Sequence, residues 1–127
     1  MHCKKKILTI LITITILTTI TTSGQTSPNN QTKWAKTYGG TGDDRAYSIQ
    51  QTNDGGYIVA GLTNSSGAGG YDVWLLKLDA SGNIEWQKAY GGTYWDWAES
   101  VQQTNDGGYI VAGCTYSFGA GRSDVWL

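Results

Sequence analysis

Histidine is almost missing from this sequence: His2 is the only one among 127 residues. That excludes Ser-His-Asp and Cys-His nucleophilic catalysis within the chain. Proline is equally rare, with Pro28 alone, and Phe118 is the single phenylalanine. The two cysteines, Cys3 and Cys114, stand in no Cys-x-x-Cys or Cys/His cluster of the kind that holds zinc. A dominant charge is missing too. The formal net charge is −1, so nothing electrostatic points to nucleic acid or an anionic membrane as partner. There is no P-loop, no dinucleotide fingerprint and no D-x-[DN]-x-[DN]-G calcium loop. Neither a cofactor nor a metal is expected. After residue 30 every stretch with a helical apolar period is interrupted by glycine, which disfavours helix.

What the chain does have is 18 glycines, 6 tryptophans and 8 tyrosines. That mixture describes short aromatic strands joined by tight turns, since a disordered linker would be poor in aromatics. The N-terminus reads differently. Lys4, Lys5 and Lys6 precede an apolar run over residues 7–20, followed by the small residues Thr22, Ser23 and Gly24. This is the pattern of a secretory signal peptide, and the run falls short of the roughly 20 residues that a membrane span needs. The reading is a signal peptide over residues 1–24, cleaved near Ser23 to Gln25, and a polar linker over 25–32. The folded part covers 33–127. The mature protein is secreted or held at the cell surface, with no transmembrane span. Cys3 leaves with the signal, so Cys114 is expected to be a lone, small, buried side chain where the preceding repeat has Leu62. An intermolecular bridge or a reactive thiol is its other reading.

The folded part repeats. Trp34 recurs as Trp86, residues 38–41 (YGGT) as 90–93, and residues 72–75 (DVWL) as 124–127. The run QQTNDGGYIVAG over residues 50–61 returns unchanged over 102–113. Every offset is 52 residues, and a period near 50 points to solenoids or propellers. One period holds four strand-like runs, at 46–52, 57–63, 72–78 and 84–90. Asn-Asp-Gly-Gly joins the first two, a hairpin signal because Gly55, Gly56, Gly107 and Gly108 tolerate positive φ. Four antiparallel strands per period describe one propeller blade. On this division 33–38 is the last strand of a preceding blade, 39–90 a complete blade and 91–127 an incomplete one. With fewer than two blades the chain is not expected to be a stable monomer. It belongs with further blades downstream or associates with copies of itself.

The strings W-x-K-x-Y-G-G-T, QQTNDGGYIVAG, D-V-W-L-L-K-L-D and G-N-I-E-W resemble a group of secreted bacterial and archaeal propeller-repeat proteins. The resemblance runs from Trp34 to the end. The Gly82–Trp86 spacing also resembles the tryptophan-docking motif of quinoprotein and kelch-like blades, which implies that the repeated tryptophan wedges between neighbouring blades. Trp34, Trp74, Trp86 and Trp126 are accordingly expected to be packing residues. Part of the group is classed with endoglucanases, which implies carbohydrate chemistry as an alternative. A redox quinoprotein would need cofactor ligands that this stretch lacks.

The repeated aspartates Asp44 and Asp96, Asp54 and Asp106, and Asp72 and Asp124 read as turn formers and binders of backbone amides, with a ring of metal ligands as the other reading. Candidate binding residues lie where the repeats differ. Residues 42–45 (GDDR) become Tyr94-Trp95-Asp96-Trp97, Asn64 becomes Tyr116 and Ser66 becomes Phe118. In a propeller the loop between blades and the loop between strands two and three share one face. Aromatics beside a carboxylate there suit stacking on sugar rings and bonding to hydroxyls; loop variation with rings packed on the blade is the other reading. The candidate ligand-binding set is Tyr94, Trp95, Asp96, Trp97 and Tyr116, with no catalytic residue. The expected function is a secreted binding or structural module whose partner is an extracellular glycan or protein. The alternative is part of a carbohydrate-active enzyme.

Overall fold

The computed structural model describes residues 34–127; the expected signal peptide and linker lie outside the described residues. The chain is all-β, with seven strands: β1 Asp44–Gln51, β2 Tyr57–Thr63, β3 Asp72–Leu78, β4 Ile84–Tyr90, β5 Asp96–Gln103, β6 Tyr109–Thr115 and β7 Asp124–Trp126. They form two antiparallel sheets in simple sequential order, β1-β2-β3-β4 and β5-β6-β7. No described helix is long and apolar enough to cross a membrane.

The repeat is reproduced strand for strand. β1 pairs with β2 through a bulge between Ala46 and Ser48, and β5 pairs with β6 through the same bulge between Ala98 and Ser100. The hairpins close identically: Gly55 donates to the Thr52 carbonyl at 2.9 Å and Gly107 to that of Thr104 at 3.0 Å. Their φ values of +83° and +85° lie where only glycine sits without strain. Asp54 and Asp106 accept the amides of Gly56 and Gly108 at 3.0 and 3.1 Å, which completes an Asx turn in each.

β2 and β3 are apolar on both faces because both faces are covered. Ile58, Ala60, Val73 and Leu75 pack against Ala98 and Val101 of β5, with Trp86, Tyr109, Val111 and Trp126 around them. This is the core between the sheets. The opposite face of the first sheet buries Val59, Trp74, Leu76 and Leu78 beneath Trp34, Tyr38 and Tyr57. Glutamines tie the strand ends across the two sheets. The Gln103 amide donates to Gln50 Oε1 at 2.6 Å, and the Asn53 amide donates to Gln103 Oε1 at 2.8 Å.

One expectation is corrected. Residues 34–40 form no strand, although their sequence is that of a fourth strand. A strand exists only by pairing, and among the described residues no third strand lies beside this segment. Its side chains dock nonetheless. Trp34 Nε1 donates to the Ala80 carbonyl at 3.1 Å and Tyr38 Oη to the Gly82 carbonyl at 2.7 Å. Cys114 is buried, as expected of the position that holds Leu62 one repeat earlier.

Candidate functional site

The loop that enters each sheet is held by an aspartate at the first position of its first strand. Thr63 Oγ1 donates to Asp44 Oδ1. Asp44 Oδ2 accepts Ser65 Oγ at 2.7 Å and the Gly40 amide at 2.8 Å. One repeat later Thr115 Oγ1 donates to Asp96 Oδ1. Asp96 Oδ2 accepts Ser117 Oγ at 2.6 Å and the Gly92 amide at 2.9 Å. Each aspartate thus binds the entry loop to the loop after its sheet's second strand. Burial pushes both carboxyls up, but these donors more than offset it and hold them below the ordinary aspartate value. They are structural anions, ionised at neutral pH.

Asp72 is the exception. It is 1 % exposed and accepts the Ala68 amide at 2.8 Å, while its Oδ1 has no hydrogen-bond partner. Burial pushes this carboxyl above the ordinary value; the Ala68 amide opposes the shift and the Asp96 charge adds to it. Both carboxyls face Gly91, where a Cβ would stand 1.9 Å from Asp72 Oδ1 and 2.8 Å from Asp96 Oδ2. Among the described residues no three metal-ligating side chains come together.

Upon this frame the second repeat displays its aromatics. Tyr94, Trp95 and Tyr116 are 63, 59 and 41 % exposed and line one groove of about 510 Å³ with Gly121 and Arg122. That volume suits a small ligand. Trp95 is exposed yet fixed. Its ring stands edge-on to Tyr71 with centroids 5.5 Å apart, and it lies so close to Gly70 that a Cβ there would meet Trp95 Cδ1 at 2.5 Å. The Tyr94 amide donates to Ser117 Oγ at 3.0 Å, which ties that position to the Asp96 system. The groove is therefore largely built before any ligand arrives.

Trp97 lies apart from this groove. With Trp95, Arg45, Tyr47, Leu62, Tyr71 and Glu99 it lines a neighbouring cavity of about 300 Å³. Its Nε1 donates to Glu99 Oε1 at 2.7 Å, and its ring lies 5.8 Å from that of Tyr116. The structure thus brings Tyr94, Trp95 and Tyr116 together and sets Trp97 behind them. Asp96 lies underneath, with no exposed surface. No protein-family model matches the chain, and no curated protein matches it. The geometry must therefore speak for itself. It adds one residue that the sequence reading passed over, Arg122. The signal for it was available, because Arg122 replaces Gly70 of the first repeat.

The repeated tryptophans pack at equivalent places. Trp34 meets Tyr57 edge-on at 5.9 Å, and Trp86 meets Tyr109 at 5.9 Å, one repeat later. Gly82 passes directly beneath Trp34, where a Cβ would stand 2.8 Å from the ring. Trp74 is buried in the first sheet, and Trp126 packs against the core between the sheets and against Phe118, 5.3 Å away.

Proposed function

We propose that this chain is part of a secreted or surface-held β-propeller that binds an extracellular glycan through the loops of its second repeat. Three exposed aromatic rings converging on one groove, with no catalytic set beneath them, carry this reading. Sugar rings present flat C–H faces that stack on Trp95 and the two tyrosines, and their hydroxyls take the polar tips. Arg122 is in no ion pair among the described residues. It adds a positive charge to the rim, so an acidic sugar binds more tightly than its neutral counterpart. A glycoside hydrolase would need two carboxylates facing one cleft; the residues lining the two cavities bring Glu99 alone.

The propeller reading rests on two successive sheets related by one 52-residue repeat, stacked face to face with a tryptophan set between them. Export rests on the lysine block and short apolar run. Mass spectrometry of the mature protein checks it: a new N-terminus near Ser23 to Gln25 is expected, and an intact Met1 on the mature protein refutes it.

The binding reading is tested by giving the second repeat the residues of the first: Tyr94→Gly, Trp95→Asp and Tyr116→Asn. Each lost ring is expected to weaken a glycan found by array screening about tenfold, since aromatic anchors contribute on the order of 1–2 kcal/mol. Unchanged affinity in the triple variant would place the site elsewhere.

A further inference from the structure

The cavity behind the groove has walls of its own. Four of its residues are aromatic: Tyr47 on β1, Tyr71 just before β3, and Trp95 and Trp97 on either side of Asp96. The rings of Tyr71 and Trp95 stand at 84° to each other with centroids 5.5 Å apart, so they form a corner and not a stack. Leu62, which is buried, adds an aliphatic patch. Every residue that lines the cavity lies between positions 45 and 99. The first sheet and the entry into the second build it, and neither end of the chain takes part.

Its lining does not repeat. The run over residues 50–61 returns unchanged after 52 residues, and so do the packing tryptophans. Here, by contrast, Arg45 becomes Trp97, Tyr47 becomes Glu99, Tyr71 becomes Ser123, and Trp95 stands where the first repeat has Asp43. Residues that build a blade recur at the period; these are particular to one junction.

Two charged groups line the cavity, and one of them is already answered. The Arg45 guanidinium lies 3.6 Å from the Asp43 carboxylate, which also accepts Tyr71 Oη at 3.0 Å. Glu99 is in no ion pair among the described residues. Its Oε1 accepts the Trp97 indole at 2.7 Å, which holds the carboxylate beside that ring. Ring faces are negative, and a cation within about 6 Å of a ring centroid is attracted to them. Four rings and one unanswered carboxylate therefore select a cation. A methylated ammonium suits the walls better than a bare one. Its methyl groups match the rings and Leu62, and it has no N–H to satisfy where Glu99 Oε1 is already engaged. The cavity, about 300 Å³, is at the small end of ligand pockets, the size of a head group.

We propose that this cavity is an aromatic cage for a quaternary ammonium group, with Tyr47, Tyr71, Trp95 and Trp97 around the cation and Glu99 as its counter-ion. The group arrives on a free solute of the choline type or as a lipid headgroup; the chemistry recognised is the same. The cage shares Trp95 with the glycan groove and does not rest on the glycan reading.

Calorimetric titration of the full chain tests it, with choline and with its neutral carbon isostere, which carries a tert-butyl group in place of trimethylammonium. Choline is expected to bind with millimolar affinity or better, and the isostere about tenfold more weakly, since the shape is kept and the charge removed. Glu99→Gln keeps an acceptor for the Trp97 indole and removes the counter-ion. It is expected to weaken choline about tenfold and to leave the isostere unchanged. Glu99 is exposed, so this variant is expected to fold as wild type does, with circular dichroism as the check. Trp97→Ala, which removes a wall, is expected to weaken both ligands. Sedimentation with phosphatidylcholine vesicles separates the two sources. Co-sedimentation that free choline competes away marks a lipid headgroup, and choline binding without co-sedimentation marks a free solute. Absence of choline binding overturns the proposal. So does equal binding of choline and its isostere, or a choline affinity unchanged by Glu99→Gln.

Discussion

Side chains of one type do unlike work in this molecule. Asp44 and Asp96 are anions satisfied by hydroxyl and amide donors, whereas Asp72 is buried with one oxygen unpartnered. Their pH signatures are therefore opposite. A carboxyl held below its unfolded value, as in Asp44 and Asp96, contributes stability above about pH 4 that is lost as pH falls further. A carboxyl pushed above it, as in Asp72, contributes stability that is full below about pH 4 and lost as pH rises through the folded pKa. Asp72→Asn removes that loss and the repulsion from Asp96 while keeping an acceptor for the Ala68 amide. It is expected to stabilise the protein at pH 7 by about 1–3 kcal/mol, the scale of one buried unsatisfied group. The gain should disappear below about pH 4, where the carboxyl of Asp72 is protonated in both states; urea titrations at the two pH values check both parts. Asp96→Ala is expected to act the other way. It frees Thr115, Ser117 and the Gly92 amide together, at a cost of about 2–4 kcal/mol, several hydrogen bonds at once. It should also loosen the Tyr94 loop and weaken any ligand in the groove.

Strands β2 and β3 are the elements on which the molecule depends, because each is paired on both sides and buried on both faces. Trp74→Ala, which empties a large site in β3, is expected to cost about 3–5 kcal/mol. Trp86→Ala in β4 should cost less, since that ring is only half-buried, and thermal melts of the two variants check the order. Much of this was legible in the sequence. The second, third and fourth strands of the repeat lie at the residues that the Gly- and Asn-bounded apolar runs indicated, and the Asn-Asp-Gly-Gly turns lie where the glycines demanded. The first strand begins at Asp44 rather than residue 46, because a bulge lets it pair outward to Thr63, and periodicity does not register a bulge. Residues 34–38 were misread as a strand because a strand's sequence does not guarantee a neighbour. For the candidate site, comparison of the repeats singled out the loops that carry the exposed rings, but it could not separate Asp96 from the rings beside it. Burial comes from the loop folding back over Asp96, and a repeat alignment carries no such contact.

At the scale of the whole molecule the two sheets share one core. Ala98 and Val101 of β5 are buried only because the first sheet covers them, and Ile58, Ala60, Val73 and Leu75 only because β5 does. Neither sheet keeps this shared face dry without the other, so the two should open as one cooperative unit rather than in sequence. Within that unit protection is uneven. β2 and β3 lie between paired neighbours and two apolar layers, while β7 has three residues, one paired edge and a 76 % exposed Val125. Hydrogen exchange in the isolated chain is expected to be slowest at the amides of Ala60, Leu62 and Leu76, intermediate in β5 and β6, and fastest in β7, since edge amides exchange by local fraying.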